Sequence, residues 1–481
     1  MEDVEHWSTI TLADAIAARQ VSSREALDHL LARIERFDGP INAVVTIDAD
    51  RARAEAAAAD EAIAHGSSTG PLHGVPMTIK DSWETAGMRT TSGAPELADH
   101  VPALDAAPVA RLRAAGAVVF GKTNLPLYAG DCQSYNDVFG TTNNPYDVTR
   151  SCGGSSGGAG AALACGFTPL ELGSDIGGSI RGPAHVNGVV GHKPSYGIVP
   201  AHGQIPGPPG TLSQADIAVA GPMARTVEDC ELALDLLAGP DRWNHPAWRL
   251  ELPPPRPQSL PQYRIGVWAD DAACPVGRDV RELVESAAGQ LEGAGAVVDA
   301  EVRPAFSFDA AAATFDALLA AALSGGYPKS SFERMAAVSG DADDDVSHTR
   351  RLTAMRHREW LSHNERRLQH RQRWAELFAE WDAVLLPVMP VPAIPHDHSV
   401  PMAARTIEVD GQTRPYLDLM RWVGIVGVAC LPATVVPIGL TATGLPVGVQ
   451  VVGAYLHDRT TLDLARQLLA LLGGCPRPPG L

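Results

Sequence analysis

From Trp422 to Leu456 the chain carries no Asp, Glu, Lys or Arg, and so long an uncharged run has to be withdrawn from water, either into a bilayer or into a protein core. Gly424, Gly427, Pro432, Pro437, Gly439, Gly444, Pro446 and Gly448 cut it into pieces far shorter than a membrane-spanning helix. Ala433–Ile438 and Pro446–Val452 therefore predict strands buried on both faces. A sheet hidden on both faces needs helices above and below it, so the fold class is α/β. At 481 residues, one large core with an insertion is accommodated.

The 38 basic against 56 acidic residues give a net charge of -18, which repels a phosphate backbone and argues against nucleic acid as a partner. Seven cysteines without a C-x-x-C pair indicate neither a disulfide framework nor a zinc cluster. The acidic start Met1-Glu2-Asp3-Val4-Glu5-His6 is unlike a signal peptide. These features predict a cytoplasmic protein with no membrane association.

The first sixty-odd residues read as helical. Ser22 and Glu25 form a capping box ahead of Leu27, Leu30, Leu31 and Ile34, and a further helix runs from about Asp50 to Gly66. Short apolar runs such as Val75–Ile79 and Ala117–Phe120 then alternate with glycine-rich turns and helical patches. Arg264–Ala269 and Asp382–Val388 read as strands and Thr460–Leu472 as the last helix. Between them, residues 305–380 are helical in pattern, with an acidic cluster at Asp341, Asp343, Asp344 and Asp345. Arginines from Arg350 to Arg373 are expected on a solvated face opposite Leu361, Leu368, Ala375 and Phe378. The division expected is 1–66 as an N-terminal helical segment, 67–304 as the core, 305–380 as an inserted helical cap and 381–481 as the return to the core sheet.

Three segments combine glycine density, apolar surroundings and reactive side chains. In Gly74-Val75-Pro76-Met77-Thr78-Ile79-Lys80-Asp81, Lys80 ends an apolar strand on the face of Thr78. A lysine turned inward there loses the hydration of its ammonium and becomes available as a neutral base. Ser151-Cys152-Gly153-Gly154-Ser155-Ser156-Gly157-Gly158-Ala159-Gly160 lacks the Gly-Lys-Ser/Thr ending of a phosphate loop, and Leu163 replaces the last glycine of G-x-G-x-x-G. It does satisfy G-x-S-x-G around Ser156, but that elbow requires a strand immediately before it, and Asn143–Arg150 reads as a polar loop. In Gly173-Ser174-Asp175-Ile176-Gly177-Gly178-Ser179-Ile180-Arg181, a hydroxyl nucleophile and closely spaced backbone N–H groups could serve acyl transfer. His396-Asp397-His398 lacks a further spaced metal ligand, and Cys152 has no neighbouring base, so both are expected to be structural. Trp360, Trp374, Trp381 and Trp422 are expected chiefly in core packing.

The order and spacing of the three segments resemble the amidase signature family. The similarity extends through Gly188-Val189-Val190-Gly191-His192-Lys193-Pro194-Ser195-Tyr196-Gly197, Leu431-Pro432-Ala433 and Gly444–Gln450, and leaves out the 305–380 cap. The resemblance implies a large mixed central β-sheet sandwiched by helices. It also implies a triad in which Ser179 attacks, Ser155 on a cis peptide relays the proton and Lys80 is the base. Backbone N–H groups of Ile176, Gly177, Gly178 and Ser179 would form the oxyanion hole, with Ser156, Asp175 and Arg181 in support. No cofactor or metal is implied. The expected reaction is hydrolysis of the C–N bond of small or aryl amides, with carbamates (urethanes) or esters as further small-molecule substrates, by a monomer or homodimer. Two alternatives stay open: the glutamine-hydrolysing subunit of a tRNA-dependent amidotransferase, and an α/β-hydrolase-type esterase using Ser156.

Overall fold

The two strands read from the uncharged run pair antiparallel, Ala433–Leu440 with Pro446–Val452, and lie near the middle of an 11-stranded sheet. The computed structural model describes residues 4–257, 259–337 and 345–481. Asp341, Asp343 and Asp344 lie outside the described residues, as do Met1 to Asp3 and the side chain of Asp345. In spatial order the sheet runs Val44–Ile47, Val118–Thr123, Pro76–Lys80, Leu170–Asp175, Val219–Ala224, Val190–Lys193, Ala433–Leu440, Pro446–Val452, Ala383–Pro387, Arg264–Val267 and Val297–Asp299. Parallel pairs, such as Pro76–Lys80 with Leu170–Asp175, occur beside antiparallel ones, such as Leu170–Asp175 with Val219–Ala224, so the sheet is mixed.

The first strand of that order differs from the helical reading of the N-terminal segment. Ser22 and Glu25 do cap a helix, Ser23–Phe37, and a second helix spans Ala49–Ala64. Val44–Ile47 between them is an edge strand on Val118–Thr123. Four residues are too few to show a period among helical neighbours, so the strand exists because a partner edge is available.

Alternation along Pro76–Lys80 positions the site. Met77 and Ile79 enter the large apolar core with Val227, Leu234 and Leu468, while Thr78 and Lys80 emerge on the other face, beneath the helix Gly157–Ala164. That helix, Gly-Gly-Ala-Gly-Ala-Ala-Leu-Ala, is wholly buried and intrinsically poor in helix propensity. Its value is proximity: a Cβ on Gly158 would strike the Asn124 backbone, and one on Gly157 would strike Ser134 and Cys152.

The 305–380 region is built from the helices Phe308–Leu323, Lys329–Ala336, Asp345–Thr353 and His357–Phe378. The helix Phe308–Leu323 with its following turn is long and apolar enough to cross a membrane, yet Phe308, Ala311, Phe315 and Leu318 are packed inside the protein. The orientation of His357–Phe378 corrects part of the sequence reading: Trp374 and Phe378 face inward as expected, but Arg367 and His370 join them, whereas Leu361, Leu368 and Ala375 are exposed. The Arg367 guanidinium goes inward because Asp216 meets it at 2.5 Å, so its stem packs while its charge is paired.

Candidate active site

The amine of Lys80 is completely buried and donates to three hydroxyls: Ser155 Oγ at 2.7 Å, Ser156 Oγ at 2.9 Å and Ser174 Oγ at 3.0 Å. Burial drives its pKa down to about 7, against the raising pull of the Asp175 and Glu171 carboxylates. A neutral amine surrounded by hydroxyl groups can accept a proton from one of them. Sequence reasoning gives Ser174 no role. The signal that places it is register: it precedes Asp175 at the end of the Leu170–Asp175 strand, next to the end of the lysine strand.

The peptide bond Gly154–Ser155 is cis. Ser134 holds this loop, donating to the carbonyls of Gly153 and Ser155 and accepting from the Gly157 N–H. The 131–133 backbone presses on Gly154 so closely that a Cβ would strike it.

The third segment is fastened by an ion pair. Arg181 Nη2 and Asp175 Oδ1 meet at 2.9 Å, both side chains without solvent exposure. Burial pushes the Asp175 carboxyl up, but the Arg181 charge and its hydrogen bonds outweigh that and hold it well below the usual range. Asp175 also accepts from the N–H groups of Gly178, Ile180 and Arg181. Gly178 thus differs from the expected oxyanion donor, because the carboxylate already claims its N–H at 3.0 Å. Ile176, Gly177 and Ser179 have N–H groups that no side chain engages among the described residues. Arg181 in turn donates to the Val423 carbonyl and to Gln450 Oε1, which ties the loop to the uncharged run.

Ser156 N–H donates to the Ser179 carbonyl at 3.1 Å, which joins the two serine loops. No hydrogen bond closes Ser155 Oγ to Ser179 Oγ among the described residues, and Ser179 is the most exposed of the four serines at 8%. Above Gly177 stand Met420, Phe315 and Leu319, whose nearest atoms lie 3.1 to 4.0 Å from where a Cβ would sit. With Ile217, Val428, Ile176 and Trp360 they form an apolar cluster that roofs the loop. Trp374 and Trp422 are fully buried core residues, while Trp360 belongs to this roof.

A short strand, Asp147–Ser151, does precede the G-x-S-x-G match, in place of the expected loop. It pairs with Asn143–Asn144 outside the central sheet, and Ser156 bonds to Lys80 and to the Ser174 backbone with no histidine among its partners. Cys152 is buried, and burial pushes its thiol up to about 12, which removes it as a nucleophile at neutral pH. His398 stacks on Tyr135 at 3.7 Å, and no cluster of three metal-ligating His, Cys, Asp or Glu occurs among the described residues.

A sequence-family model described as Amidase matches residues 25–462, nearly the whole chain. The chain belongs to the amidase family. It acts on carbon–nitrogen bonds as a hydrolase. Its curated relatives include a glutamyl-tRNA(Gln) amidotransferase subunit from Picosynechococcus sp., 32% identical and covering 95% of this chain and 96% of that protein. The protein of the same description from Moorella thermoacetica is 41% identical over a shorter region, 60% of this chain and 58% of that one. Among solved structures, a chain of a vestigial protein complex revealing the evolutionary origins of an s-triazine catabolic enzyme superposes with TM-score 0.81 at 30% identity, covering 98% and 99% of the two chains. A 6-aminohexanoate cyclic dimer hydrolase complexed with substrate gives TM-score 0.79 at 26% identity, covering 99% of both chains.

Proposed function

We propose that this amidase hydrolyses small amides through an acyl-enzyme on Ser179, with Lys80 as the base and Ser155 as the relay. The observation that carries the reading is the 2.7 Å contact between the Lys80 amine and Ser155 Oγ in a site where burial keeps the amine near neutrality. Lys80 takes the proton of Ser179 by way of Ser155, and Ser179 Oγ adds to the amide carbonyl carbon. The oxyanion develops against the N–H groups of Ile176, Gly177 and Ser179. Ser155 hands the proton to the departing nitrogen as the C–N bond breaks. Water then attacks the ester carbonyl, and the same relay returns the proton to Ser179 as the acid leaves.

The roof of Phe315, Leu319, Met420 and Ile217 supports a substrate with an apolar or aryl group beside the scissile bond. Carbamates and esters present the same carbonyl and belong to this proposal. Tested by purification and size-exclusion chromatography, the isolated chain, as monomer or homodimer, hydrolyses an anilide or aliphatic amide without a partner. Loss of that hydrolysis in Ser179→Ala is required.

The curated relatives support a second reading, the glutamine-hydrolysing subunit of a tRNA-dependent amidotransferase. It predicts that glutamine is the preferred substrate and that hydrolysis needs companion subunits, so the same assay with glutamine separates the two.

A further inference from the structure

Glu171 is a buried carboxylic acid that the reaction above leaves without a task. On the Leu170–Asp175 strand it pairs with Thr78, and Leu172 pairs with Ile79. Glu171 therefore leaves the sheet on the face of Thr78 and Lys80. The Thr78 hydroxyl donates to Glu171 Oε1 at 2.5 Å, while Oε2 is buried without a partner. On the other flank of the lysine strand, Thr123 is in register with Lys80, and its buried hydroxyl lies beside the same carboxyl. Glu171 thus lies buried on the sheet face of the catalytic amine, flanked by the hydroxyls of Thr78 and Thr123.

We propose that Glu171 is a positioning residue for Lys80, its carboxyl governing whether the amine that touches Ser155 holds two protons or three. This inference rests on the reading of Lys80 as base. The chemistry is reciprocal: an ionised Glu171 favours the ammonium, and a protonated Glu171 leaves the free amine favoured. Burial pushes the carboxyl up to about 7, with the Thr78 and Thr123 hydroxyls and the Lys122 charge drawing it down. The range in which it titrates is thus the range of Lys80.

The other charges near Glu171 and Lys80 do not perform that task. Asp175, on the same strand as Glu171, is held as a carboxylate by Arg181, so its pull on Lys80 is constant. Lys122, on the Val118–Thr123 strand, donates to the Trp83 carbonyl and to Thr85 and Thr90. Burial lowers it to about 8, with Asp81 and Glu171 opposing. Asp81 itself accepts from Thr91 and faces Lys122. Of the two carboxyls acting on Lys80 among the described residues, Glu171 is the one whose charge is free to change near neutrality.

The test uses the full-length chain and a fluorophosphonate that labels the activated serine, with labelling rates taken from about pH 5.5 to 9.5. In Glu171→Gln the amide oxygen still accepts from Thr78, but the charge is gone. The acidic limb of the labelling rate is expected to move down by about 0.5 to 1 pH unit. Glu171→Asp restores the limb toward the wild-type position. A folded Glu171→Gln whose limb coincides with wild type overturns the proposal. If the glutamine variant fails to fold, Thr78→Val carries the test, because losing the hydroxyl donor disfavours the carboxylate and the limb again moves down. An unmoved limb there overturns the proposal equally. Absence of labelling on Ser179 in the wild type is a different result, which strikes the catalytic reading and the inference with it.

Discussion

Asp175 and Arg181 face each other at 2.9 Å with no access to solvent, and between them they organise the backbone on which Ser179 sits. The carboxylate takes three backbone N–H groups and the guanidinium reaches Val423 and Gln450. A buried charge left without its partner is costly, about 3 to 5 kcal/mol. Arg181→Met is therefore expected to lower the unfolding free energy by that amount in urea titration. It also abolishes hydrolysis, because Asp175 loses what holds it in place. Arg181→Lys recovers only part of the stability, since an ammonium cannot reproduce the fork.

Removal of the hydroxyls proposed to react separates the serines by role. Ser179→Ala and Ser155→Ala should each cut kcat by at least about 10³-fold, with the protein still folded. Ser156→Ala and Ser174→Ala, which each remove one acceptor from Lys80, are expected to slow kcat by about 10-fold to 100-fold. Mass spectrometry after substrate addition should find the acyl adduct on Ser179. An adduct on Ser156 would instead restore the esterase alternative.

The pH profile follows from the buried amine. In the proposed mechanism the base form of Lys80 is the active one, and burial lowers its pKa to about 7. Hydrolysis should therefore be weak below about pH 6, rise tenfold per unit and level off above about pH 8. Measured kcat/KM that stays flat from about pH 5 to 9 would remove Lys80 as the base.

The same shift appears in stability. The folded pKa of Lys80 is lowered below its unfolded value, so between about 7 and 10.5 the unfolded chain binds the extra proton and rising pH favours the fold. Lys80→Met abolishes this dependence. The stability of wild type relative to Lys80→Met should grow by up to about 1.4 kcal/mol per pH unit across that window and be constant below it. Paired denaturant titrations at two pH values read it directly.

The apolar roof is open to a substrate test. Phe315→Ala removes the ring that stands over Gly177 and Gly424. It is expected to raise KM for an anilide about 10-fold while changing KM for a small aliphatic amide much less.

Periodicity and glycine placement made the sheet's buried strands, the capped helix at Ser22 and the three reactive segments legible in the chain itself, because each depends on residues close in sequence. The 76–80 alternation placed Lys80 on the face of Thr78, where it could turn inward. What escaped was decided by partners far along the chain. Val44–Ile47 is a strand because the edge of Val118–Thr123 accepts it. His357–Phe378 turns Arg367 inward because Asp216 waits there, and Gly178 donates to Asp175 because Arg181 fixes that carboxylate. The residues that could form a base, a relay and a nucleophile were thus specified by local order. The burial of Lys80 among the hydroxyls of Ser155, Ser156 and Ser174, where an ammonium loses its advantage over an amine, was settled only when strands separated by about ninety residues came to lie side by side.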